Sequence, residues 1–259
     1  MKRTQLLALT ILIGVSAHAA DHVLLVGGLG GEERYEKSFA KTLDTVGNLL
    51  TNRYEYEADK LTVLKDDATV ESIGAAIAQV GEHASPEDTF LLLLLGHGQS
   101  DYQEAKFNVK GPDLAPAALK TLLDALPMKD QRVLLLFACS GTFSEVLAAP
   151  SRVILASTDG PRQIYAAVAP RYLVEALESD YADADYDGAI SFLELFDFLT
   201  EEVEGHYKAI GAIQLENPSL EDNGDGRVTT RVEGMDAGDG DVAASTRFVP
   251  APSVSAEDG

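Results

Sequence analysis

This 259-residue chain has one cysteine, 20 basic side chains against 42 acidic ones, and no apolar run long enough to span a bilayer comfortably. Each scarcity excludes something. A single cysteine, Cys139, cannot form an intramolecular disulfide. A net charge of −22 repels nucleic acid and anionic membranes, so neither is expected as a partner. Lacking a full apolar span, the N-terminus reads as a signal peptide over 1–19. Met1-Lys2-Arg3 is the positive start, 6–15 the apolar core and Ala17-His18-Ala19 the cleavage signal. Removal after Ala19 implies export, hence a periplasmic or secreted protein with no membrane partner once the signal is gone. No cysteine lies near that site, which excludes a lipid anchor. In an exported chain an unpaired thiol is either an intermolecular bridge or a reactive group.

What is present is an apolar share of 46%, enough for a sizeable core. Two unbroken apolar runs dominate, 90–95 ending on Gly96-His97-Gly98 and 133–138 ending on Cys139-Ser140-Gly141. Short runs without polar alternation read as strands buried on both faces, as in a parallel sheet covered by helices. Further strands are expected at 22–26, 61–64 and 152–156. Helices are expected at 32–50, 69–80, 115–126, 170–179 and 192–206, with a short one from Thr142. Strand and helix alternate, so the fold class is α/β, a three-layer sandwich with a mainly parallel central sheet flanked by helices. Residues 102–109 suggest a small hairpin. Gly27-Gly28-Leu29-Gly30-Gly31 follows the first strand, but a dinucleotide fingerprint needs glycine where Glu33 stands, so a tight turn is expected. One domain over 20–233 is followed by a Gly/Asp/Ala/Ser/Pro-rich tail, 234–259, expected to be disordered and acidic.

Ligands of parallel sheets bind beyond the carboxyl ends of the strands, where His97 and Cys139 both fall. A thiol opening onto a helix N-terminus gains thiolate character, and a histidine beside it can protonate a leaving amine and activate water. The N–H groups of Gly98 and Cys139 would form the oxyanion hole. Without further information, a buried core cysteine and a merely hydrogen-bonded histidine are the plain alternatives. A second site is written in 183–194, which fits a twelve-residue EF-hand loop between helices. Asp183, Asp185 and Asp187 take positions one, three and five, with Gly188 at six. Ala189 offers its carbonyl at seven, Ser191 acts directly or through water at nine, and Glu194 binds at twelve. Calcium is the expected cofactor. The run 221–226 opens like a second such loop, but Val232 at position twelve and Pro218 before it favour a turn.

An apolar strand ending His-Gly and a later one ending Ala-Cys resemble the two-block signature of the caspase-like cysteine peptidases (caspases, legumains, gingipains, metacaspases). With 107–114, 183–194 and 220–226, the chain most resembles the legumain-like branch and its bacterial exported relatives. That resemblance implies a caspase-like fold, a His97/Cys139 dyad acting on peptide or protein substrates through an acyl-enzyme, and substrate contacts from Ser157 and Asp159. Legumains place an acidic residue two positions before the nucleophile; here Phe137 stands there, so asparagine specificity does not carry over. A catalytically silent, calcium-stabilised binding module and a transpeptidase using the same dyad are the alternatives.

Overall fold

The computed structural model describes residues 19–65, 67–101, 104–150, 152–231 and 240–252. The expected signal segment falls almost wholly outside them. Among the described residues, no helix is long and apolar enough to cross a membrane.

The strands are β1 (Asp21–Gly27), β2 (Leu61–Leu64), β3 (Thr89–Leu95), β4 (Gly98–Ser100), β5 (Ala105–Phe107), β6 (Asp130–Leu136), β7 (Arg152–Ala156), β8 (Ile190–Ser191), β9 (Ser219–Glu221) and β10 (Arg247–Phe248). The helices are α1 (Glu33–Asn52), α2 (Val70–His83), α3 (Pro116–Asp124), α4 (Gly141–Leu147), α5 (Ala169–Glu178), α6 (Phe192–Ala209) and α7 (Asp241–Ser245). Six strands form the central sheet in the order β2-β1-β3-β6-β7-β9, all parallel except β9, which runs antiparallel to β7. The expected parallel α/β sandwich is therefore present, with one antiparallel edge strand.

The uninterrupted leucine runs follow from this placement. Side chains alternate across a strand, and both faces of the sheet are covered, so every position must be apolar. Leu91, Leu93, Leu95, Leu134 and Leu136 pack with α1, α5 and α6. Phe90, Leu92, Leu94, Val133 and Leu135 pack with α2, α3 and α4 on the other face. Sequence places α2 accurately because Thr69 accepts the Ser72 N–H while the Ser72 hydroxyl accepts the Thr69 N–H, a reciprocal N-terminal cap. The glycine-rich turn after β1 is tied down by backbone bonds from Gly28 to Leu95 and from Leu29 to Asn108.

The expectation of a disordered tail is corrected over 240–252. Asp222, fully buried, accepts the Gly240 N–H with both oxygens at 2.9 Å and the Ala243 N–H at 2.9 Å. These bonds hold α7, and the chain then pairs β10 against β8. Phe248, 1% exposed, stacks on Phe192 with ring centroids 5.1 Å apart. Residues 234–239 and 253–259 of the predicted tail lie outside the described residues, as does Tyr102 of the predicted hairpin. A hairpin is present but starts earlier than expected: β5 falls within 102–109 and pairs antiparallel with β4, which precedes that range.

Candidate active site

Strands β3 and β6 are neighbours in register, Leu95 opposite Leu136, so the chain delivers His97 and Cys139 to the same end of the sheet on adjacent strands. Gly98 lies hard against the second strand end. A Cβ there would stand 2.1 Å from the Ala138 carbonyl oxygen, so only glycine permits this approach. The two functional side chains nevertheless face different surroundings. His97 continues the odd-numbered positions of β3 onto the α1 face, where its ring meets Tyr35 and Phe39 edge-on at 4.6 and 5.2 Å. It opens onto a cavity of about 210 Å³ shared with Val168, Arg171 and His206. Burial lowers the imidazole pKa, opposed by a hydrogen bond to the Gly30 backbone and by the charge of Glu32. The neutral, proton-accepting ring is favoured.

Cys139 turns the other way. Its φ of +63° is a left-handed conformation that non-glycine residues rarely adopt, and such backbone strain concentrates at functional sites. The side chain is fully buried among Phe137, Phe143 and their neighbours on the opposite face. Its sulfur lies 3.6 Å from the Pro161 carbonyl oxygen and 3.7 Å from that of Gln163. No hydrogen bond joins it to His97. Burial pushes the thiol up to about 11, which favours the protonated thiol over the thiolate expected at the start of α4. The Cys139 N–H, expected as an oxyanion donor, is taken by the Gln163 carbonyl at 3.0 Å.

Ser157 and Asp159 both lie beside Cys139, in different roles. Ser157 is fully buried, donating to the Phe137 carbonyl at 2.9 Å and bonded to Ser140 at 3.3 Å. That makes it a brace beneath the cysteine turn, and its expected substrate contact is corrected. Asp159 is partly exposed, its carboxylate accepting the Asn217 side-chain amide at 3.0 Å. Sequence reading missed Gln163, Glu216 and Asn217, which belong to no motif; only their polar character between apolar elements marks them.

The acidic loop lies between α5 and α6, remote from the cysteine in sequence. Carboxylate oxygens of Asp183, Asp185 and Asp187 lie within 4.8 Å of one another. Tyr186 and Gly188 take left-handed φ values of 60° and 87° and turn the loop tightly. Glu194 reaches back across it, accepting the Ala184 and Asp185 N–H groups at 2.9 and 3.3 Å and capping α6 through Ser191. Asp187 pairs with Arg247 of β10. Ala189 and Ser191 stand at the loop's exit, Ser191 within β8. In the run 221–226, Glu221 accepts the Gly224 and Gly226 N–H groups, a turn as expected.

In this parallel α/β sandwich the adjacent central strands β3 and β6 end at Leu95 and Leu136 and lead into His97 and Cys139. Among solved structures the chain is similar to caspase-1 from Spodoptera frugiperda. The TM-score is 0.54 at 16% identity, over 81% of this chain and 90% of that one. No protein-family profile and no curated protein sequence matches it. At such low identity the likeness shows the caspase-like fold alone and gives no support to the legumain-like branch in particular.

Proposed function

We propose that this chain is an exported cysteine endopeptidase, with Cys139 as nucleophile and His97 as general acid and base. One observation carries the reading: β3 and β6 bring both residues to one sheet end of a caspase-like fold, with Gly98 against Ala138. In the reaction, the Cys139 thiol passes its proton to His97 and the sulfur attacks the scissile carbonyl carbon. The C–N bond breaks as the imidazolium returns that proton to the leaving amine. Water, deprotonated by His97, then cleaves the thioester and regenerates the thiol. The Gly98 N–H is the candidate oxyanion donor, joined by that of Cys139 once its present bond is released. Within the caspase-like fold, the blocks around His97, 107–114 and Cys139 favour a legumain-like relationship.

A peptide-library digest tests this reading. Wild type should cleave, and Cys139→Ala should lose all turnover and all labelling by acyloxymethyl-ketone probes. Hydrolysis persisting in the alanine variant would remove Cys139 from the mechanism. A silent binding module is the second reading, favoured by the buried, proton-retaining thiol and its separation from His97.

Calcium is the proposed structural ion, held by Asp183, Asp185, Asp187, the Ala189 carbonyl, Ser191 and Glu194. The grouped oxygen donors suit a hard divalent cation. Such an ion would screen three aspartates that otherwise repel one another, with no part in bond cleavage.

A further inference from the structure

Between β7 and α5 the chain crosses directly over Cys139. The Gln163 carbonyl accepts the cysteine N–H at 3.0 Å and lies 3.7 Å from the sulfur. A carbonyl held by the amide of the nucleophile, beside its sulfur, stands where a scissile carbonyl belongs before attack. The Gln163 side chain is held too. Its Oε1 accepts the Asp159 N–H at 3.1 Å and the Asn217 N–H at 3.1 Å. Asp159 and Asn217 are themselves joined through their side chains. Beneath them, Gly141 lets the strap sit close, since a Cβ there would lie 2.4 Å from the Asp159 carbonyl carbon. At the strap's far end, the Glu216 carboxylate grips the Val168 and Ala169 N–H groups at 2.6 and 3.0 Å. Residues 166–168 line the His97 cavity, so one strap covers the cysteine and borders the histidine.

We propose that residues 161–164 occupy the site as an internal pseudosubstrate, with Gln163 at the acyl position, and that the displaced strap leaves a niche selective for a glutamine-type carboxamide. The inference rests on Cys139 being the nucleophile of a peptidase site. Two backbone N–H donors require a side-chain oxygen; a lysine or an alanine in the niche would leave both unpaired. A glutamate would bring a negative charge to the Asp159 backbone, close to a residue that is itself acidic, whereas an amide brings none.

The test uses the full chain and reads alkylation of Cys139 by iodoacetamide through intact mass. Two variants loosen the strap at different points: Gln163→Met, which keeps length and volume but loses the acceptor, and Glu216→Ala. Circular dichroism confirms that each is folded. Wild type should react far more slowly than free cysteine, and the variants about tenfold or more faster than wild type, as expected for losing two hydrogen bonds that hold the closed state. In Gln163→Met, short peptides ending in glutamine amide should slow alkylation more than those ending in glutamate, lysine or alanine amide. Unchanged alkylation in a folded variant, or equal protection by alanine peptides, overturns the proposal. Neither readout needs turnover, so these results with no peptide hydrolysis would defeat the peptidase reading while leaving the occupied site intact.

Discussion

Glu216 shows how much rests on single buried groups here. It is 2% exposed, and burial pushes its carboxyl up to about 7 from an ordinary 4.5, against the pull of the two N–H bonds it accepts. An acid whose pKa is higher folded than unfolded stabilises the fold while protonated. That contribution is full below 4.5 and is lost as pH rises through about 7. Glutamine at this position cannot titrate. The stability of Glu216→Gln relative to wild type should therefore climb between pH 4.5 and 8, by about 1–3 kcal/mol. Urea denaturation in chelator across that range measures it; a flat difference would show that Glu216 does not titrate in place. At this scale the sequence revealed residues with distinctive chemistry, His97, Cys139 and the loop aspartates. It offered burial of the thiol only as the plain alternative and did not reveal what covers it, because that depends on Pro161 and Gln163, which local pattern does not bring near it.

Among the elements, the central strands were legible because burial on both faces imposes one composition on them. Three elements escaped for the opposite reason. Strand β9 is three residues long and is held by pairing with β7 and by a bridge from Leu220 to Thr229, while α7 and β10 depend on the Asp222 anchor and the pairing with β8. Their composition resembles that of a loose tail, and only distant partners order it. Phe248 makes that ordering measurable. It packs between Phe192 and Tyr54, with centroids 5.1 and 5.8 Å away, so Phe248→Ala should cost about 3–5 kcal/mol. The urea midpoint should fall accordingly, whereas a fall within about 0.5 kcal/mol, the range of ordinary surface substitutions, would mean the segment is not docked in solution.

For the molecule as a whole, a net charge of −22 makes self-repulsion a standing cost, concentrated where three aspartates share one loop. Calcium at a hundred times its dissociation constant would add about 2.7 kcal/mol of stability. For a chain of this size that corresponds to a melting temperature higher by about 5–10 °C. Differential scanning calorimetry should show the rise with millimolar calcium and its loss with chelator. Asp185→Asn should blunt it, and an unchanged melting temperature in wild type would argue against the loop as a site. The order of the sheet also carries a kinetic consequence. Strands β3 and β6 can pair early, bringing the cysteine turn into being. Glu216 and Asn217, which fasten the strap, follow α6 in the chain and reach their places only when that helix has docked and β9 has closed the sheet edge. Assembly in that order would leave the thiol uncovered until the strap is fastened, so alkylation during refolding should exceed alkylation of the folded protein.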